Sequence, residues 1–308
     1  LKLSYSYVKG SVQHQLEVAV VKDRKLELEH FLRTNQPQHL VWWENLQNPE
    51  SGAWLKSIPK IPKFQMSNKD FSSALRYRCF FPISGINEGI RCNCANKPVV
   101  DKLGHHLATG CAIGGTRAKT HDGVVLELRD ILRYCGLQTK VEERGLFRIT
   151  NPNSNNRPDI TVTDPPGSVF KTLAIDVGVT SPLTGYNNPE FYRLYTGIAA
   201  KNMAADKKAK YARIGAQANE LQFLPFILES TGFIHEDAIA YLHRLADIAS
   251  DSRGIPSRVL YNYFVKRLSL RLQCGIANSI NRRLEMVKSH NSAGMHDPSF
   301  ASEVVLAL

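Results

Sequence analysis

No stretch of about eighteen uninterrupted apolar residues occurs in this chain, so a membrane-spanning helix is not expected. Cysteine is scarce and unevenly placed. Of six in 308 residues, Cys92, Cys94 and Cys111 cluster, while Cys79, Cys135 and Cys274 stand apart in apolar surroundings. That distribution speaks against a disulfide framework and for a reducing compartment with one metal site. Acidic side chains are in deficit, 28 against 39 basic ones, which leaves a net charge of +11 and a pI near 9.4. A balance of this kind suits a polyanionic partner better than an acidic small substrate. Internal repeats and low-complexity tracts are lacking. So are an initiator methionine and a signal-peptide layout at Leu1-Lys2-Leu3-Ser4-Tyr5-Ser6, and the expectation is a segment of a longer polyprotein. What is present suffices for folding: 43% hydrophobic residues can fill a core, and the length allows two domains or one core with appendages.

Residues 11–34 place Leu16, Val20, Leu26 and Phe31 at helical spacing and predict one or two leading helices. An aromatic and proline-rich connector follows, with Trp42, Trp43 and Trp54. These rings could stack on bases or pack the connector onto the core. Ser67 and Asp70 predict a capped helix through Ala74, Leu75 and Arg78. Thr120-His121-Asp122 opens another whose apolar face is Val124, Val125, Leu128, Ile131 and Leu132, with Gly136 as its stop. Three strands come next, around Lys140–Glu142, Asp159–Ile160 and Thr172–Val179. A Lys-rich helix from about Asn187 to Ala212, a strand Phe223–Glu229 and helices His235–Ile248 and Arg258–Lys288 complete the order. Beyond Ser289 a frayed tail is expected. The fold class is α/β (α+β), a small mixed sheet flanked by helices.

The two aspartate strands are the most informative part. Arg157-Pro158-Asp159-Ile160 and Thr172–Val179 flank the turn signal Asp164-Pro165-Pro166-Gly167. A hairpin there brings Asp159 and Asp176 onto neighbouring strands, and paired hard oxygen ligands suit a Mg²⁺ (or Mn²⁺) ion that activates water against a phosphodiester. Upstream, Cys92 and Cys94 can face one ion from a tight loop. His106 and Cys111 follow at a spacing of one helical turn. Thiolate and imidazole select zinc. His105 is a competing ligand.

In this order the motifs are Gly104-x-His106-x4-Cys111, Arg117-x3-His121-Asp122, the Arg157-Pro158-Asp159 strand, Ile175-Asp176-Val177-Gly178-Val179 and a Lys-rich helix ending in Lys210-Tyr211. Over about residues 50–250 this order resembles the C-terminal part of the reverse transcriptases of non-LTR retrotransposons, whose endonuclease is of the restriction-enzyme-like PD-(D/E)xK type. The Y/F-x-D-D turn of the polymerase is absent from the chain. The resemblance implies a helical linker over 1–80, a zinc knuckle over 81–116, a restriction-endonuclease-like domain over 117–250 and a helical extension over 251–308. It implies a nuclear Mg²⁺-dependent endonuclease that nicks target DNA to prime reverse transcription. Its partners would be target DNA, element RNA, an upstream reverse transcriptase domain and, for second-strand cleavage, a second copy, with no membrane involved. A catalytically inactive nuclease fold that binds DNA or RNA, or serves as a scaffold, is the alternative.

The family pattern puts a lysine two residues after the second acid, where this chain has Gly178. Related retroelement nucleases carry it on the following helix, and Lys208 is chosen because it shares a helical face with Tyr211. Lys207 and Lys210 are alternatives. Glu127 is a further candidate acid, against a surface or capping role, and Glu143 a second. Glu229 is read as structural. Arg117, His121, Arg157, Lys201 and Arg213 are candidate nucleic-acid contacts, with His121 also open to completing the knuckle or capping its helix.

Overall fold

The computed structural model describes residues 12–147, 155–184, 196–213 and 221–294. Two helices lead in, α1 (Val12–Asn35) and α2 (Pro37–Leu46). A 3-10 helix (Pro49–Lys56) and α3 (Asn68–Arg78) follow, and then the cysteine-bearing loops. The connector is therefore helical around its tryptophans and non-helical over 57–61. Trp42 and Trp54 are buried in it, and the Trp42 indole donates to the Arg78 carbonyl at 2.9 Å, so neither ring is free to stack on a base. At the start of α3 the Ser67 hydroxyl accepts from the Asp70 amide at 3.1 Å and donates to the Asp70 carboxylate at 2.7 Å.

The centre of the molecule is α4 (Thr116–Tyr134), β1 (Gln138–Val141), β2 (Ile160–Thr163), β3 (Thr172–Thr180), α5 (Ile198–Arg213), β4 (Leu221–Glu229), α6 (Glu236–Arg253) and α7 (Ser257–Gly294). The sheet has the order β1-β2-β3-β4. The first two pairings are antiparallel, and β3 and β4 are parallel across the α5 crossover. Position β4 at the edge is compatible with Pro225, which has no amide to give to a ladder. On β3, Leu173, Ile175 and Val177 pack with α4, α6 and α7, whereas Ala174, Asp176 and Gly178 turn toward α5. Both faces are covered, which is why the strand reads as a near-continuous apolar run.

Helix α4 starts already at Thr116, behind Gly114 and Gly115 in left-handed conformations, so His121 lies inside the helix and does not cap it. The lysine-rich helix is described only from Ile198; 185–195 lie outside the described residues. Helix α7 continues to Gly294 where fraying was expected, and it is a spine rather than an extension. Leu260, Phe264, Leu268, Leu272, Ile276, Ile280 and Leu284 are all buried and recur every fourth residue. On a helix of 3.6 residues per turn such a stripe drifts about 40° per step. Along its length α7 meets α6 at Tyr261, α4 at Arg267 and Ser279, and the cysteine loops at Arg283. One continuous core runs from Trp42 through the cysteine loops and the sheet to Val287. Among the described residues no helix is long and apolar enough to cross a membrane.

Glu229, at the end of β4, is fully buried. The Ala200 amide in the first turn of α5 donates to it at 2.8 Å, and the Asn45 side-chain amide of α2 donates to its other oxygen. Burial pushes its carboxyl from 4.5 to about 7 despite these two donors. The folded state thus holds the proton more tightly than the unfolded chain. This contribution to stability is complete below about pH 4.5 and is lost as pH rises through about 7. Urea midpoints of the parent chain and Glu229→Gln should diverge across that window. A stability difference that stays flat across it would show that this carboxyl does not titrate there.

Candidate metal centre and carboxylate site

The cysteine loops gather Cys92, Cys94, His106 and Cys111, whose ligand atoms all lie within 4.8 Å of one another. A short hairpin positions the first pair: Arg91 bridges to Val99, the Cys92 amide donates to the Pro98 carbonyl at 2.9 Å, and the Lys97 amide closes a turn on the Cys94 carbonyl at 2.9 Å. His106 opens a single wide helical turn, His106–Gly110, and the Cys111 amide donates back to the His106 carbonyl at 2.8 Å. Asp101 orients that turn by accepting from the amides of His105 and His106, both at 2.9 Å. Cys92 Sγ and Cys111 Sγ are 3.6 Å apart, as are Cys94 Sγ and His106 Nε2. A tetrahedron with Zn–S bonds of about 2.3 Å has sulfur–sulfur edges of about 3.8 Å, so the donor set and its spacing fit a zinc ion. His105 points the other way, with its ring against Trp42, Tyr77 and Phe80. His121 is not part of this cluster. Of the remaining thiols, Cys135 is buried and Cys274 half-buried, but Cys79 is exposed.

The second site lies where β2 and β3 meet α4 and α5. Asp159 immediately precedes β2, and the register that pairs Ile160 with Ile175 sets it opposite Asp176. Asp159 Oδ2 accepts from the Val177 amide at 2.7 Å and lies 3.2 Å from His121 Nε2. Burial works to raise the Asp159 carboxyl, but hydrogen bonds from His121 and from Asp176 outweigh it and hold it below its ordinary value. Burial and the hydrogen bond with Asp159 hold the Asp176 carboxyl above its ordinary value, with Lys207 opposing. The two neighbouring carboxyls thus shift in opposite directions, Asp159 downward and Asp176 upward. His121 loses to burial but gains more from Asp159 and Asp122, and its pKa rises to about 9.

Lys207 Nζ lies 2.9 Å from Asp176 Oδ1. Lys208, the lysine favoured from sequence, instead pairs with Asp237 of α6 at 2.7 Å and is half-exposed. Both lysines are within a turn of Tyr211, so helical spacing alone did not separate them. Gly178 explains the placement. A Cβ there would lie 2.6 Å from Met203 Sδ, 2.7 Å from Ile227 Cδ1 and 3.1 Å from Lys207 Cε. The missing side chain on β3 makes room for the amine delivered from α5.

A cleft of about 430 Å³ beside these groups is lined by Arg117, His121, Val177, Gly178, Met203 and Lys207, among others. Arg117 is exposed at its wall. Of the other sequence candidates, Tyr211 also reaches the carboxylate pair, and the rest lie elsewhere. Lys210 sits over the Tyr211 ring, 5.2 Å from its centroid. Tyr211 is buried, stacked on Phe223, and its hydroxyl donates to the Arg157 carbonyl at 3.2 Å. Burial, and then the neighbouring Asp176 and Asp159 carboxyls, push that phenol upward, so it remains a donor and not a base. Arg157 pairs with Glu142 at 3.2 Å, Lys201 lines a separate cleft with Phe233 and His235, and Arg213 is exposed at the end of α5. Glu143 pairs with Lys140.

Glu127 is neither a surface residue nor a cap. It is 1% exposed and ion-paired with Lys63 at 2.7 Å and with Arg267, and these partners come from the α3 approach and from α7. The structure thus removes it from the carboxylate pair. His121 as the partner of Asp159 was missed as such. The Arg117-x3-His121-Asp122 motif flagged the residue, but only the packing of α4 against β3 names its partner. Scanned against models of known families the chain matches none, and no curated protein is significantly similar to it.

Proposed function

We propose that this chain is a metal-dependent DNA endonuclease of the restriction-endonuclease-like type, corresponding to the C-terminal part of a non-LTR retrotransposon reverse transcriptase. The observation that carries this reading is the contact between the Asp159 and Asp176 carboxyls beside Lys207, at a cleft whose walls add Arg117 and His121. Two adjacent carboxylates offer the hard oxygen donors that Mg²⁺ or Mn²⁺ takes. Asp159 and Asp176 would hold such an ion, which would supply a water of lowered pKa as the nucleophile at phosphorus, with the P–O3′ bond breaking to leave the 3′ hydroxyl of the nicked strand. The protein's own part is electrostatic and positional. Arg117 draws a phosphate into the cleft, and the Val177 amide and His121 fix the Asp159 carboxylate. Lys207 then meets the negative charge that grows on the phosphate oxygens.

The Cys92, Cys94, His106 and Cys111 centre supports the same reading as a structural zinc site that pins the preceding loops to the core. Natively purified protein is expected to hold one zinc per chain by elemental analysis. Cys111→Ser should lose it, and retention of zinc by that variant would remove Cys111 from the ligand set. The functional test is supercoiled plasmid incubated with the purified chain in Mg²⁺ or Mn²⁺ and, in parallel, in EDTA. Nicking that depends on the divalent ion is expected. Salt-sensitive DNA binding without nicking in either metal would replace the nuclease by an inactive binding module.

A further inference from the structure

Arg283, in the C-terminal half of α7, is one of the largest fully buried side chains of the protein, 1% exposed. Its guanidinium lies against the cysteine loops. Nη1 donates to the Leu107 carbonyl at 2.6 Å and Nε to the Ile113 carbonyl at 3.3 Å, the two sides of Cys111. Nη2 is buried without a hydrogen-bond acceptor. Among the described residues no carboxylate pairs with it; its electrostatic partners are Cys111 and Cys92, with Arg117 as a like charge. Glu127, the other deeply buried ion of this region, has two cations. A buried cation left to carbonyls alone is costly, because carbonyl dipoles replace only part of its lost hydration.

The charge of the metal centre resolves this. Zinc with three thiolates and one neutral imidazole carries one negative charge in excess. We propose that Arg283 is the counter-ion of the metal-loaded Cys92, Cys94, His106 and Cys111 site, so that metal loading and the docking of α7 on the cysteine loops are one event. The inference rests on the reading of this cluster as a zinc site and is independent of the nuclease reading. A cluster of two cysteines and two histidines would be neutral with zinc and would leave Arg283 uncompensated. The three-to-one ratio and the buried arginine belong together. The seam around it is tight: a side chain at Gly114 would meet Met286 Sδ at 2.9 Å, which brings α7 directly against the loop that carries Ile113.

The test uses the full chain purified with zinc, and the variants Arg283→Met and Arg283→Lys. In competition with a chromogenic zinc chelator, Arg283→Met should give up the metal about 10–100-fold more readily than the parent, the range found when a group supporting metal ligands is removed. Arg283→Lys keeps the charge and should lie closer to the parent. Urea midpoints with zinc and after EDTA supply a second readout. Arg283→Met should lower the midpoint with zinc, and leave it unchanged or raise it once the metal is stripped, because the buried cation then has nothing to balance. Unchanged zinc affinity in Arg283→Met overturns the proposal. So does an equal loss of stability with and without zinc, which marks plain packing. If Arg283→Met does not fold, Arg283→Lys decides: zinc held within about tenfold of the parent supports the counter-ion, and a loss beyond about a hundredfold overturns it. A parent chain that holds no zinc refutes the metal reading itself, a result distinct from any of these.

Discussion

Asp176→Ala is expected to abolish Mg²⁺-dependent nicking while the chain still binds DNA. Asp176 is 7% exposed and touches both Asp159 and Lys207, so its removal takes away one of two oxygen donors and the partner of the amine at once. Loss of one carboxylate makes the cleft more positive, not less, and phosphate attraction persists. The variant should fold, because Lys207 retains access to solvent and is not left as a sealed, unpaired charge. Asp176→Asn keeps the volume and a hydrogen bond to Asp159 but not the charge, and is expected to be as inactive. Circular dichroism, a binding isotherm and plasmid nicking measured together separate these effects. Nicking at the parental rate by Asp176→Ala would sink the assignment.

Lys207→Ala should slow cleavage by about two or more orders of magnitude, the scale associated with losing a group that stabilises charge in the transition state. Lys208→Ala should change the rate by less than about threefold, because its amine is half-exposed and committed to Asp237, and exposed pairs of that kind contribute little. The contrast is sharp because these neighbours have the same charge and the same helix. What distinguishes them is direction: consecutive helical residues point about 100° apart, and only Lys207 projects over Gly178 toward Asp176. A silent Lys207→Ala beside a crippled Lys208→Ala would require α5 to rotate in the DNA complex and would overturn the placement made here.

Local chemistry was enough to anticipate several elements. Ser67 and Asp70 announced the start of α3, the apolar stripe of α4 and Gly136 its buried face and its end, though not its start, and the Val, Ile and Thr runs the paired strands. Short-range rules govern these features, since a cap, a stripe or a turn needs only a few neighbouring residues. The ligand spacing of Cys92, Cys94, His106 and Cys111 was legible for the same reason: a hairpin and a single helical turn close most of the site from residues close in sequence.

The amino-acid sequence by itself determined the order of helices and strands from α3 onward, the cysteine–histidine cluster and the opposition of two aspartates across one hairpin. Tertiary structure alone decided which lysine reaches them, that Glu127 faces α7 and that His105 belongs to the core. It also decided that α7 is the spine carrying Arg283 to the cysteine loops. The physical reason is common to all four. Each depends on the rotation of one helix against a partner 50 or more residues away in the chain, or on which of two adjacent side chains finds room. Sequence spacing fixes positions on a helix relative to one another, but only packing against a second element sets where that helix points.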